Sequence, residues 1–317
     1  MTDLVITYLN SNRPQWIESY NYYKSKEIAS GIANEKDRQS FGAERFRDWD
    51  NLHYWFRGVE NNCKWVNKVF LIVQSKDQLP EWLNINNPKL RIVTHDEFIP
   101  KELLPTFNPL TIELFFHNIQ DLSEQYISCN DDHFFLHPIE ETLFFENGCP
   151  REPELKTKWQ LYKTTTSDGT FYATLNNVRE IDKDMINELY PGVEPWAYGF
   201  THLPYPRLKS MDTFVFNKYK DKIMEGAKVS KFRNPKNYCS TIYDDALKIY
   251  NKTILDKYMF DKCAYIILKT SVNFRWCSSL DIVCFNDTEQ LDDFNIVKEQ
   301  LDKLFQKRFP NKCSFEK

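Results

Sequence analysis

The run Gln125-Tyr-Ile-Ser-Cys-Asn-Asp-Asp132 is apolar until it stops in an amide and two adjacent carboxylates. Such a segment reads as a buried strand that delivers acid groups to its mouth. In open α/β sheets the carboxyl end of a strand is where ligands bind. Asn130, Asp131 and Asp132 offer hard oxygen ligands suited to Mg²⁺ or Mn²⁺, ions that commonly work with substrate phosphates. The plain alternative is a polar turn after a core strand. A second segment, Asp281-Ile-Val-Cys-Phe-Asn-Asp287, ends in the same Asn286-Asp287 pair. Two such strands can converge on one metal ion, although Asn and Asp also start turns by bonding their own backbone.

Three further groups bear on chemistry. Apolar residues at 46, 49, 52, 56, 59 and 63 predict an amphipathic helix that Arg45-Phe-Arg-Asp48 would open. Arginine at a helix start opposes the dipole, so anion binding is one reason to place two there, and a salt bridge to Asp48 or Asp50 is the other. His202 sits in Phe-Thr-His-Leu-Pro, a loop-like stretch where a general base or a half-buried structural histidine would be at home. Arg233 belongs to residues 207–236, which carry nine Lys or Arg against Asp212, Asp221 and Glu225, a local charge of +6. That stretch suits a solvated helix face, an anionic acceptor or an anionic membrane surface. His133 and His137 are four residues apart but lack the Glu of a zinc-protease helix, so no zinc site is expected there.

These residues need an α/β frame, and the chain supplies one. Strand patterns at 3–9, 66–73, 90–94, 125–129, 264–268 and 281–285 alternate with helical patterns at 46–63, 112–119, 241–258 and 291–305, which argues for βαβ units and a mainly parallel sheet. Residues 140–200 are mixed, with a strand-like Thr142–Phe145 and a polar stretch near 163–170, and this is where a lid, an insertion or a sub-domain boundary is expected. The expected organisation is one catalytic domain over 1–317. Its core would be built from 1–150 and 236–317, with 151–235 as a helical lid or insertion carrying the basic acceptor side.

Composition narrows the function classes. With 317 residues, 42% hydrophobic and 15% aromatic, the chain can build a large core. A net charge of −4 argues against a dedicated nucleic-acid binder. Its eight glycines form neither G-x-G-x-x-G nor a P-loop, so metal, Arg, Lys or helix N-termini must hold any phosphate. Eight cysteines without a C-x-x-C pair suit a reduced, cytoplasmic setting. The N-terminus reads as a first strand and not as a signal peptide. No stretch approaches 18 apolar residues, which leaves peripheral attachment at the inner face of the plasma membrane open.

Arg45-Phe-Arg-Asp48, Leu52, Tyr54, Arg57, Trp65-Val66, Pro80-Glu-Trp-Leu-Asn84, Asn87-Pro88, Arg91-Ile-Val-Thr-His95, Leu104-Pro-Thr-Phe107, Ile112-Glu113, Leu122-Ser123 and Asn130-Asp-Asp132 together closely resemble the second conserved block of the Stealth family. These are sugar-1-phosphate transferases of bacterial capsule and wall polysaccharides, with the animal GlcNAc-1-phosphotransferase among them. Asp3–Asn10 is similar to the first block, His202-Leu-Pro through Lys231-Phe-Arg233 to the third, and Cys284–Asp287 with the closing helix to the fourth. In the first block Ile6, Tyr8 and Ser11 replace the usual Tyr, Trp and Gly.

The resemblance implies a Rossmann-like, GT-A-like core. It also implies transfer of a hexose-1-phosphate or N-acetylhexosamine-1-phosphate from a UDP-sugar to a sugar hydroxyl of a polysaccharide repeat unit on a lipid-linked glycan, with release of UMP. Carried over by residue, Asp132 and Asp287 would hold Mg²⁺ or Mn²⁺, while Asn130, Asp131 and Asn286 orient ligands or sugar. His202 would be the base and Arg233 the clamp on the transferring phosphoryl group. Asn10, Arg45, Arg47 and Asp48 would line the donor site. The rival readings are a metal-dependent glycosyltransferase that releases UDP and a non-catalytic glycan-binding protein.

Overall fold

A computed structural model describes residues 1–166, 168–269, 274, 276–288, 291 and 293–317. In chain order the first half gives β1 (Thr2–Thr7), α1 (Pro14–Ala29), α2 (Arg38–Phe41), α3 (Leu52–Asn62), β2 (Val69–Val73), β3 (Leu90–Thr94), α4 (Pro109–Glu113), β4 (Gln125–Cys129), β5 (His133–Phe135), β6 (Phe145–Glu146), β7 (Cys149–Pro153) and β8 (Lys156–Lys158). The second half gives α5 (Gly169–Leu189), β9 (Trp196–Tyr198), β10 (Tyr205–Leu208), α6 (Lys209–Lys228), α7 (Thr241–Ile249), β11 (Ile254–Asp256), β12 (Cys263–Ile267), β13 (Ile282–Asn286) and α8 (Phe294–Arg308).

The main sheet runs β10-β4-β1-β2-β3, with β1 to β4 parallel and β10 antiparallel at the edge. Val69-Phe-Leu-Ile-Val73 is buried throughout, as an inner strand covered on both faces must be. A second sheet, β12-β13-β5, pairs β13 parallel to β12 and antiparallel to β5. Two small sheets, β11-β7-β6 and β8-β9, complete the strands. The chain leaves the main sheet at Cys129 and enters the second at His133. Asn130, Asp131 and Asp132 are therefore the corner between the sheets.

The alternation of strand side chains divides the core. Leu4 and Ile6 face Trp55, Phe56 and Val59 of α3 together with Val297, Leu301 and Phe305 of α8. Val5, Phe70 and Ile72 face Leu175 and Met185 of α5, Val215 of α6 and Ile242 of α7. Both ends of the chain thus build one face. Residues 151–235 contribute β10 to the main sheet and α5 and α6 to the opposite face.

Four local expectations change. The helix expected over 241–258 ends at Ile249, where Asn251 takes φ 54°, and Ile254–Asp256 is the strand β11. The helix expected over 46–63 begins only at Leu52, because the Asp48 carboxylate accepts the Asp50 N–H at 2.8 Å and Asp50 takes φ 54°. Arg45 therefore ends a 3₁₀ turn, Ala43–Arg45, and Phe46-Arg-Asp48 leads from it to the helix. The helix expected over 112–119 is split into α4 and a 3₁₀ turn at Phe116–Asn118, with Phe115 between them off helical geometry. The strand expected at 142–145 is a 3₁₀ turn, Glu141–Leu143, followed by the short β6. All eight cysteines are free thiols.

A C-terminal clamp closes the α3–α8 face. Arg57 donates Nε and Nη2 to the two Glu316 oxygens, both at 2.7 Å, and Nη1 to the Phe309 carbonyl at 2.9 Å. Phe315 stacks on Phe56 with centroids 4.8 Å apart. Glu316→Gln is expected to lower the unfolding free energy by roughly 2–4 kcal/mol, since it strips a shielded guanidinium of its counter-charge. Burial pushes the Glu316 carboxyl up, but the Arg57 and Cys313 hydrogen bonds outweigh it and hold the group below its usual 4.5. This contribution is complete above that value and is lost as pH falls through the depressed one, so urea melts of parent and variant should converge in acid.

Candidate active site

The main-sheet order β3-β2-β1-β4 makes the gap beyond the carboxyl ends of β1 and β4 a topological switch point. The corner residues lie at its base. Asp132 Oδ2 is 3.3 Å from His202 Nε2, and the Asn130 side-chain amide is 3.4 Å from the same nitrogen. His133 is buried and its Nδ1 accepts the Asn130 backbone N–H at 3.1 Å, so the imidazole proton belongs on Nε2. That N–H lies 3.6 Å from Asp132 Oδ1, and neither atom has a hydrogen-bond partner among the described residues. Cys284, opposite His133 in the β5–β13 register, adds its thiol to the group. Side-chain heteroatoms of Asp132, His133, His202 and Cys284 all lie within 4.8 Å of one another.

Charge is unevenly shared in this corner. Burial would raise the Asp132 carboxyl, but His202, with His133 and Cys284 behind it, holds it down at about 2. The converse holds for His202, where desolvation is outweighed by Asp132 and the imidazole rises above 6.5. Asp131 keeps contact with solvent at the cleft mouth. Surrounding protein first, then Asp132 and Asp48, push its carboxyl up.

The other wall is cationic. Arg45 Nη2 and Arg233 Nη1 both donate to Gln39 Oε1, at 2.8 and 3.0 Å. Two guanidiniums on one neutral acceptor repel by on the order of 1–3 kcal/mol, the lower figure applying where solvent reaches them. Desolvation first and then the Arg45 charge push Arg233 down to about 9. A pair so strained electrostatically is a ready anion site. Its backbone is held firmly, since Phe232 stacks on Phe107 at 5.1 Å and Ser40 Oγ donates to the Arg233 carbonyl at 2.7 Å. Glu27, buried on α1, accepts from Ser230 Oγ at 2.5 Å and Lys231 N at 2.6 Å. Tyr265 joins the walls. Its ring meets His202 edge-on at 5.6 Å, and its hydroxyl is raised to about 12 by burial first, with Asp132 pushing up and Arg45 pulling down.

The remaining sequence-derived candidates sit around this cleft. Asp287 Oδ2 pairs with Arg47 Nε at 3.0 Å and accepts Trp49 Nε1 at 3.1 Å, and Oδ1 accepts the Thr288 N–H at 2.6 Å. Arg47 thus bridges to the residues just after β13 and not to Asp48 or Asp50. The Asn286 amide donates to the Asp287 carbonyl at 2.8 Å. Asp48 accepts from Tyr8 Oη at 3.2 Å, and Asn10 Oδ1 closes a local turn on Asn12 N at 3.1 Å. His137 turns away to the Leu280 carbonyl at 2.8 Å. The structure therefore brings Asn130, Asp132 and His202 together, Arg45 and Arg233 together, and Arg47 with Asp287.

Sequence reasoning missed Gln39, Cys284 and Tyr265 as cleft residues, and placed His133 only as an improbable zinc ligand. For His133 the signal was its position directly after the acid pair. Nothing about Gln39 announced it.

Known proteins match this chain along its length. Residues 45–152 match the family model for Stealth protein CR2, conserved region 2. A capsular polysaccharide phosphotransferase, WcwK of Streptococcus pneumoniae, is 30% identical over 340 residues, covering 99% of this chain and 98% of its own length. A receptor polysaccharide phosphotransferase, WefC of Streptococcus oralis, is 28% identical over 99% of this chain and 98% of its own. Another capsular polysaccharide phosphotransferase, CpsJ of Streptococcus thermophilus, is 40% identical over 149 residues, 47% of this chain and 59% of its own. With the matched region running from Arg45 through the acid corner, and full-length relatives beyond it, the chain belongs to the Stealth family.

Proposed function

We propose that this protein transfers a hexose-1-phosphate or N-acetylhexosamine-1-phosphate from a UDP-sugar to a sugar hydroxyl of a polysaccharide repeat unit, forming a phosphodiester and releasing UMP. The observation that carries the reading is one cleft with an Asp132-held imidazole on one wall and the Arg45–Arg233 pair on the other. Proton removal and phosphate clamping are the two tasks that phosphoryl transfer asks of a protein. The relatives' names, all polysaccharide phosphotransferases, support the same class. The β3-β2-β1-β4 order supports a nucleotide-sugar-binding, GT-A-like core.

In this reading His202 takes the proton of the acceptor hydroxyl, whose oxygen attacks the sugar-bearing phosphorus. The bond from that phosphorus to the bridging oxygen breaks, and UMP leaves with the electron pair. Arg45 and Arg233 hold the equatorial oxygens as charge spreads over them. Asn130 orients His202, while Asp48, Arg47 and Asn10 border the donor.

The corner also fits a divalent ion. Asp132 Oδ1 is buried without a hydrogen-bond partner among the described residues, and the Asp131 carboxyl lies close enough to feel its charge. Asp287, expected as the second ligand, is held instead by Arg47, Trp49 and Thr288 and is not among the side chains gathered at Asp132, so the ion would rest on Asp132 and Asp131. Bound Mg²⁺ or Mn²⁺ would neutralise diphosphate charge. The protein would work at the cytoplasmic face on a lipid-linked glycan; no described helix is long and apolar enough to cross a membrane.

The leaving nucleotide tests the reading. With a panel of UDP-sugars and a glycan acceptor, UMP and a phosphodiester are expected, and UDP without a phosphodiester would mean glycosyl transfer instead. His202→Ala should cut turnover by roughly 10²–10⁴ with an unchanged melting temperature. An unaffected rate would remove His202 from the chemistry.

A further inference from the structure

We infer that Gln39 is a positioning residue for the Arg45–Arg233 pair and that Asp168 sets its orientation. The inference rests on the reading of that pair as the holder of donor phosphate.

Gln39 lies on α2 and is only 6% exposed. Its Nε2 donates to Asp168 Oδ1 at 2.7 Å. A carboxylate can only accept, so this bond fixes which end of the amide is nitrogen. The Oε1 end must then face the two arginines, which it meets at 2.8 and 3.0 Å. The residue type matters here. A neutral oxygen draws two cations side by side without cancelling either, so their charge stays available to a ligand. A carboxylate in its place would form its own ion pairs and compete with phosphate. An aliphatic side chain would let the guanidiniums move apart.

Asp168 stands at the N-cap of α5, yet its side chain makes no capping bond, so holding Gln39 is the role its carboxylate plays. The contact is reinforced from both sides. Asp37 accepts Gln39 N at 3.0 Å and Thr170 Oγ1 at 3.1 Å, and Ser40 Oγ reaches the Arg233 carbonyl at 2.7 Å. Segments more than a hundred residues apart are thus tied together where the two positive charges meet.

Titration calorimetry with inorganic pyrophosphate alone, in the absence of metal, tests this on the full chain. Gln39→Ala and Asp168→Ala are expected to weaken binding by about tenfold and threefold, and Gln39→Glu by more than tenfold although it keeps the side chain's length. Acting through the arginines, Gln39→Ala should add little in an Arg233→Ala background, so the double-mutant cycle should be strongly non-additive. Parent affinity in Gln39→Ala, or additive losses, would overturn the role of Gln39 while leaving the phosphate reading in place. Parent affinity in both Arg45→Ala and Arg233→Ala would overturn the phosphate reading itself. Should Gln39→Ala not fold, the exposed Asp168→Ala decides: reduced affinity supports the proposal and parent affinity rejects it.

Discussion

Arg233→Ala is expected to lower kcat/KM for sugar-phosphate transfer by roughly 10³-fold, with no loss of folded protein. The fold should survive because the segment is held by its backbone and neighbours: Phe232 on Phe107, Ser40 on the Arg233 carbonyl, and Glu27 on Ser230 and Lys231. The guanidinium itself contributes repulsion against Arg45, so removing it should leave the melting temperature level or slightly raised. The rate should fall because a charge developing on phosphoryl oxygens loses a fixed counter-charge. Arg233→Lys should recover only part, since an ammonium is a point charge without the planar fork. Steady-state kinetics with circular-dichroism melts check both halves. Full activity in Arg233→Ala would place the phosphate elsewhere.

Arg207→Met should instead damage the fold. Arg207 is fully buried on β10, donates Nη2 to Asp244 Oδ2 at 2.9 Å, and lies 5.4 Å from the Tyr243 ring. Burial raises Asp212 to about 7 even with the opposing pull of Arg207, and Tyr126 Oη donates to it. Burial likewise raises Asp244 against Arg207 and Lys248. Methionine keeps the volume but strands two buried carboxyls, at a cost of roughly 3–5 kcal/mol. Each would bind a proton in the folded state that it sheds when unfolded, so stability falls as pH rises from the unfolded carboxyl value through the raised one. Urea melts should therefore show a larger deficit at pH 8 than at pH 5. An equal deficit would assign the loss to packing alone.

The contrast between these two arginines marks how far the sequence could be read. Both sit in the basic stretch 207–236, where a solvated side chain, a buried ion pair and an anion clamp look alike. Only β10 and its partner α7, brought together in space, tell them apart. Strands β1, β2, β3, β4, β12 and β13 were legible because apolar, β-branched runs bounded by polar residues leave few alternatives. The helix start at Leu52 was not, since apolar spacing is blind to Asp48 capturing the Asp50 N–H. The acid corner announced itself by an abrupt change in polarity. Asp287 lies 240 residues from Arg47, and no local pattern encodes that pairing. Gln39, a lone amide outside any motif, acquires meaning only from the two cations it faces.

The clamp of Arg57 on Glu316 has a consequence in time. The α3–α8 face needs Val297, Leu301 and Phe305, and the corner needs Cys284 and β13 against β5. All of these leave the ribosome well after Asp132, and Glu316 follows them. Contacts so distant in the chain form late and slowly. During synthesis the acid corner therefore exists without its second sheet, and a nascent chain that has already made every residue from Asn10 to His202 has no assembled cleft in which to act.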